Sequence, residues 1–111
     1  MAEIAFALPI LPGQEQLDRE TLEELETARR DEYLAALADA GITRHAVWHQ
    51  ETPDGTLAVV YMEVDDESGV ARFGASDAPL NSWFREQMKQ VHGIDIAAAA
   101  PPPKKVHDTA R

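Results

Sequence analysis

Apolar positions alternate along two neighbouring stretches, Arg44 to Gln50 and Leu57 to Val64, and Thr52-Pro53-Asp54-Gly55-Thr56 between them has turn chemistry, so the pattern predicts a β-hairpin. The second stretch is apolar on both of its faces. A hairpin strand in a small chain ordinarily has one apolar face and one wet one, so this strand needs two covers. Helices supply one, and a second copy of the chain is the expected source of the other.

Nearer the N-terminus, Ile4, Phe6 and Leu8 alternate with Ala5 and Ala7, which predicts a first strand ended by Leu11-Pro12-Gly13. From Gln14 to Ala40 the residues are mostly Glu, Leu, Ala, Arg and Gln, and Gly41 supplies a stop, so one long helix is expected. At 100° per residue Leu17, Leu22, Leu25, Ala28, Tyr33, Ala36, Leu37 and Ala40 share one broad arc, while Glu23, Arg30 and Leu34 lie elsewhere. Such a helix is about twice the mean length, and a bend near Thr27 to Arg30 would relieve it. After the hairpin, Asp65-Asp66-Glu67-Ser68 starts a short helical stretch through Val70, Ala71, Phe73 and Gly74. Ser76-Asp77-Ala78-Pro79 starts a stronger one, in which Leu80, Trp83, Phe84, Met88 and Val91 recur at helical spacing as far as Gly93. Ile94-Asp95-Ile96 suits a short last strand. The remainder lacks a core-forming pattern, which predicts one domain over residues 1–100 and a flexible tail over residues 101–111.

This order is α+β, the β-α-β-β-α-β arrangement of ferredoxin-like folds, with an antiparallel sheet and helices on one side. At 111 residues the chain buries about two-thirds of its unfolded surface, so core is scarce and pairing of two sheets would add to it. Twenty acidic against ten basic residues leave a net charge of −10, which disfavours nucleic acid and anionic membrane surfaces as partners. The absence of cysteine removes disulfides, thiol nucleophiles and thiolate metal sites. The first residues carry no basic stretch before their short apolar run, and a cytoplasmic location is the default expectation.

A hairpin turn centred on Asp54-Gly55 sets Trp48 opposite Tyr61, Gln50 opposite Val59 and Arg44 opposite Asp65. One sheet face then holds Ile42, Arg44, Ala46, Trp48, Gln50, Leu57, Val59, Tyr61 and Glu63, and the other His45, Val47, His49, Glu51, Ala58, Val60, Met62 and Val64. Periodicity does not say which face meets the helices. Trp48 and Tyr61, with Gln50 and Glu63 nearby, make either a pocket wall or simple cross-strand packing. His49, with Glu51 two residues on, is either a general base with an orienting carboxylate or a strand histidine at the hairpin end. His45 and His49 are about 13 Å apart along a strand, too far to share a metal ion. Arg29 lies on the apolar arc of the long helix. Either it holds a ligand carboxylate or hydroxyl, or it pairs at the surface with Glu32 or Tyr33. Trp83 and Phe84 are core or the mouth of a pocket, and His92 before Gly93 suits a helix C-terminus. No Walker loop, dinucleotide fingerprint or nucleophile elbow occurs.

Glu3 to Leu8, Ala46-Val47-Trp48, Leu57 to Val64, Ala75-Ser76-Asp77 and Trp83-Phe84 come in an order that resembles the dimeric α/β-barrel superfamily, nearest to L-rhamnose mutarotase, over Glu3 to Val91. The resemblance implies two ferredoxin-like subunits packed sheet to sheet, and a pocket between sheet and helices that interconverts sugar anomers without a cofactor. It also matches Trp83-Phe84 to an aromatic pair and Met62-Glu63-Val64 to a strand segment containing a glutamate. Mutarotases use a histidine and a tyrosine in the first helix. This chain has no histidine there, and Tyr33 lies further along. Arg29-Arg30-Asp31-Glu32-Tyr33 instead resembles a small bacterial branch of the superfamily.

The expectation is a homodimer, joined through the sheet, that binds a small molecule among Arg29, Tyr33, Trp48, His49, Tyr61, Glu63, Trp83 and Phe84 and uses neither metal nor cofactor. If the protein is an enzyme, the expectation is a cofactor-free isomerase of the mutarotase type with His49 or Glu63 as base. A non-catalytic dimerisation or ligand-sensing domain and a cofactor-independent monooxygenase are the alternatives.

Overall fold

The computed structural model describes residues 1–95 and 103–111. Its elements are β1 (Ala2–Pro9), α1 (Glu15–Glu26), α2 (Arg30–Ala40), β2 (Ile42–Thr52), β3 (Gly55–Val64), α3 (Ser68–Ala75) and α4 (Pro79–His92). The three strands of the described residues form an antiparallel sheet in the order β1-β3-β2. With its helices this is a ferredoxin-like α+β fold. The strand that is apolar on both faces is the central one.

The two ladders stack residues into rows across the sheet. Ile4, Met62 and His45 form one row, Phe6, Val60 and Val47 the next, and Leu8, Ala58 and His49 a third. These point at the helices: Ile4, Ala58, Val60, Met62 and Val64 are all buried. On the other side the rows read Ala5, Tyr61, Ala46 and then Ala7, Val59, Trp48. The two-face partition therefore stands with two corrections. The hairpin register differs, since Trp48 faces Val59 and Ala46 faces Tyr61. Pro53 presets the first turn position, among the described residues none other than glycine has positive φ, and Gly55 at φ +129° is already a strand residue paired with Thr52. The turn is thus Pro53-Asp54, and the Thr52 hydroxyl stabilises it by donating to the Gly55 carbonyl at 2.7 Å. Moving the turn by one residue changes the partner of each residue by two, which preserves its face. The second correction is Ile42. An irregularity between Ile42 and Arg44 turns Ile42 into the core, where it is 5% exposed.

The expected long helix is two. Thr27 stands at the break, its hydroxyl donating to the Glu23 carbonyl at 2.9 Å, and Arg29 N–H reaches back to the Glu24 carbonyl at 2.9 Å. A threonine side chain that bonds the preceding turn bends a helix. The break puts Ala28, expected on the buried arc, into solvent, while Tyr33, Ala36 and Ala40 of α2 keep their packing. Gly41 ends α2 at φ +68°. Gly69 explains the glycine content of α3: a Cβ there would run into the Ala40 carbonyl oxygen, so α3 and α2 approach closely only because the side chain is missing.

Two buried clusters result among the described residues. Leu25, Tyr33, Ala58, Phe84, Met88 and Val91 belong to one, and Ile4, Ile42, Val60, Met62 and Val64 to the other, with Leu37, Val47 and Phe73 touching both. Each fully buried aliphatic side chain contributes about 1.5 to 3 kcal/mol. In the described part of the predicted last strand, Ile94 and Asp95 are not in a strand, and Ile96 lies outside the described residues, as does the predicted boundary between residues 100 and 101. Within the terminal segment, Lys105 Nζ donates to Glu3 Oε1 at 3.0 Å and to Asp108 Oδ2 at 2.9 Å. No helix among the described residues is long and apolar enough to cross a membrane.

Candidate functional site

Between the helix-facing side of the sheet and the helices lies a cavity of about 480 Å³, within the range usual for small-molecule sites. The sheet contributes Ile4, Phe6, Val47, Val60 and Met62, and α4 contributes Phe84, Met88 and His92 at four-residue intervals. Only three of the described lining residues have polar side chains: Asp18, His45 and His92. Each is tied to a second group behind it.

Asp18 is 2% exposed, and its Oδ2 accepts a hydrogen bond from His49 Nε2 at 2.6 Å. A buried carboxylate needs such a partner, since burial without one is costly. Helix α1 brings Asp18 over β2 because Asp18, Thr21 and Leu25 occupy its buried stripe. His45 Nδ1 meets the Tyr33 hydroxyl at 2.7 Å, with the rings edge to face at 6.2 Å. Burial pushes the Tyr33 hydroxyl up to about 12, helped by the charge of Glu26, so Tyr33 keeps its proton. Burial also holds His45 below the ordinary histidine value, against the opposing charges of Glu26 and Asp18. A Tyr33 hydroxyl donating to Nδ1 leaves the His45 proton on Nε2. His92 Nδ1 donates to the Pro9 carbonyl at 2.8 Å and so ties the end of α4 to β1. The cavity wall thus carries a carboxylate backed by an imidazole and an imidazole backed by a phenol, set in an apolar lining. That is acid–base equipment in a medium where charges interact strongly. Among the described residues no three His, Asp or Glu side chains group so as to hold a metal ion.

The structure distributes the sequence-derived candidates over three places. Phe84 lines the cavity, packed edge to face on Phe73 at 5.8 Å, and Tyr33 and His49 stand directly behind its polar groups. Arg29 and Trp83 meet each other outside the lining. The guanidinium lies 4.1 Å from the indole centroid, and Nε donates to Glu24 Oε2 at 2.5 Å. Trp48, Tyr61 and Glu63 lie on the opposite face of the sheet, where the Tyr61 hydroxyl donates to Glu3 Oε2 at 2.7 Å. The carboxylate that meets His49 is Asp18 and not Glu51. Residues two apart on a strand stand about 7 Å apart, and Glu51 is exposed beyond the helical cover. The apolar periodicity of the helix arc passes over Asp18 because its side chain is charged. Its signal was present: Asp18, Leu22 and Leu25 are spaced i, i+4, i+7, which puts a carboxylate on an apolar stripe. His92 carries no comparable signal, because a histidine before a C-terminal glycine suits a solvated cap equally well.

No family model and no curated protein matches the sequence. Among solved structures, the chain is similar to an L-rhamnose mutarotase from Formosa agariphila. The TM-score is 0.68 and the identity 14%, and the match covers 99% of this chain and 100% of that one. The likeness is one of fold, and it extends over the whole ferredoxin-like unit.

Proposed function

We propose that this protein is a cofactor-free isomerase that binds a small molecule in the cavity between sheet and helices and moves a proton within it. The observation that carries the reading is the buried Asp18–His49 hydrogen bond on the cavity wall. The fold it shares with an L-rhamnose mutarotase supports it. Isomerisation of this type needs a base to take a proton from one atom of the ligand and an acid to deliver one to another, with no redox step. Asp18 is the base, oriented by His49, and His45 is the acid, oriented by Tyr33. Phe84 supplies apolar contact. These assignments keep Tyr33, His49 and Phe84 of the sequence-derived candidates and replace His49 or Glu63 as base by Asp18.

The active unit is a homodimer joined through the outer sheet face. Ala5, Ala7, Ala46, Val59 and Trp48 form an apolar patch there, with Trp48 55% exposed, and Glu3, Arg44 and Glu63 give it a polar rim. An exposed patch of this kind on a small chain is a hallmark of association.

The test of catalysis is proton exchange in D2O. L-Rhamnose, with anomer interconversion read by saturation-transfer NMR, and 2-tetralone, with loss of its C1 proton signal, are each mixed with the wild type and with Asp18→Asn. Acceleration of either reaction, lost at least 100-fold in Asp18→Asn at unchanged circular dichroism, is the expected result, since a positioned base contributes about 10²–10⁴-fold. Exchange that is equal in the two proteins refutes Asp18 as base. Binding without any exchange makes the domain a non-catalytic ligand binder.

A further inference from the structure

We infer that the ligand of this cavity is a neutral, largely apolar carbonyl compound that enolises, such as an aryl or alicyclic ketone, and not a polyol. The inference rests on the proton-transfer reading above and names the substrate class for the same site. Its grounds are the inventory of the wall. Asp18, His45 and His92 are the only polar side chains among the described lining residues, and each already spends one atom on a protein partner: Asp18 Oδ2 on His49, His45 Nδ1 on Tyr33, His92 Nδ1 on the Pro9 carbonyl. One carboxylate oxygen and two ring nitrogens remain. A reducing sugar brings four or five hydroxyls, each needing donors and acceptors of its own when water is excluded, and three side-chain atoms do not satisfy them. A ketone needs one donor on its oxygen and one base at the neighbouring carbon, which matches what is left.

The rest of the wall fits a flat hydrocarbon body. Phe73 and Phe84 form an edge-to-face pair with centroids 5.8 Å apart, and Met62 and Met88 bring polarisable thioethers. No lysine or arginine lines the cavity among the described residues, and the chain carries −10 overall, which turns away carboxylates and phosphates. The volume of about 480 Å³ admits a bicyclic ring system.

The step balances without a co-reactant. Asp18 takes the proton from the carbon next to the carbonyl. The C–H electron pair becomes the new carbon–carbon double bond, the carbonyl pair moves to oxygen, and His45 Nε2 gives that oxygen its proton, keeping the N–H pair as an imidazolate that the Tyr33 hydroxyl stabilises by donating to Nδ1. The reverse step returns a proton from Asp18 to carbon and the hydroxyl proton to His45. In D2O the Asp18 proton exchanges with solvent in between, so the net change is C–H to C–D.

The experiment compares 2-tetralone, benzoylacetone and the sugar used above on the wild-type protein, reading the melting temperature and intermolecular NOEs, and then α-proton exchange. A rise in melting temperature with at least one of the two ketones and none with the sugar is expected. NOEs from the ketone ring protons to the Met62 and Met88 methyl groups locate the ketone without any variant. A rise with the sugar alone overturns the substrate class and leaves the proton-transfer reading standing. Ketone binding with no exchange upholds the class and removes the catalysis. No shift and no NOE with either ketone overturns the inference.

Discussion

The central strand β3 presents two apolar faces with opposite fates. On the inner face Ala58, Val60, Met62 and Val64 are buried beneath the helices, and the outer face holds Leu57, Val59, Tyr61 and Glu63 in partial exposure beside a Trp48 that is 55% exposed. Composition does not separate them, since Val59 and Val60 are the same residue on adjacent positions. What separates them is the reach of the helices, and with it the chemistry. Asp18 meets His49 and Tyr33 meets His45 on the covered side, where partial burial strengthens each hydrogen bond. The polar contacts of the outer side, such as Tyr61 to Glu3, lie in solvent.

The adjacent valines give the largest test of that contrast. Val60→Asp places an unpaired carboxylate in the core and is expected to cost at least about 3 kcal/mol in urea denaturation, enough to prevent folding of a marginal domain. Val59→Asp is expected to change monomer stability by less than about 1 kcal/mol while shifting the sedimentation profile towards monomer. Equal effects of the two substitutions would erase the distinction between the faces. Next in size is Gly69→Ala, which pushes a methyl group into the Ala40 carbonyl and is expected to cost about 2 kcal/mol by forcing α3 away from α2. Unchanged stability would mean that the close approach of those helices does not hold in solution.

A smaller effect follows from His45. Burial lowers its folded-state value below the usual 6.5, so the unfolded chain binds the proton more readily. The contribution is complete above pH 6.5 and is lost as pH falls through the depressed folded value. His45→Gln, which can still bond Tyr33 but does not titrate, is expected to flatten the stability profile between about pH 5 and 7 relative to the wild type, measured by urea midpoints across that range. Parallel profiles would show that His45 accepts its proton as readily in the fold as out of it.

The architecture was legible because strand alternation and helix stops are local signals: the two-faced character of Leu57 to Val64, the stop at Gly41 and the start at Pro79 each follow from a few residues. The candidate site was less so, since its pairs join residues 31 and 12 positions apart in the chain. Nothing near His49 in sequence announces Asp18. The face of His49 was set by alternation, but the direction of the helices was not, and that decided whether Glu51 or Asp18 met the imidazole. The hairpin register failed for a related reason: Asp54-Gly55 is a strong turn signal, yet Pro53 is stiffer still.

Arg29 lies between these regions and gives the finest test. It stacks on Trp83 and pairs with Glu24 across the break between α1 and α2, outside the cavity lining. Its side chain is 29% exposed, so solvent screens the ion pair, and the stacking supplies about 0.5 to 1 kcal/mol. Arg29→Ala is therefore expected to lower the urea midpoint slightly and to leave ketone binding unchanged within twofold. A larger loss of binding than of stability would move Arg29 into the site and extend the cavity past the break, placing its mouth between α1 and α4.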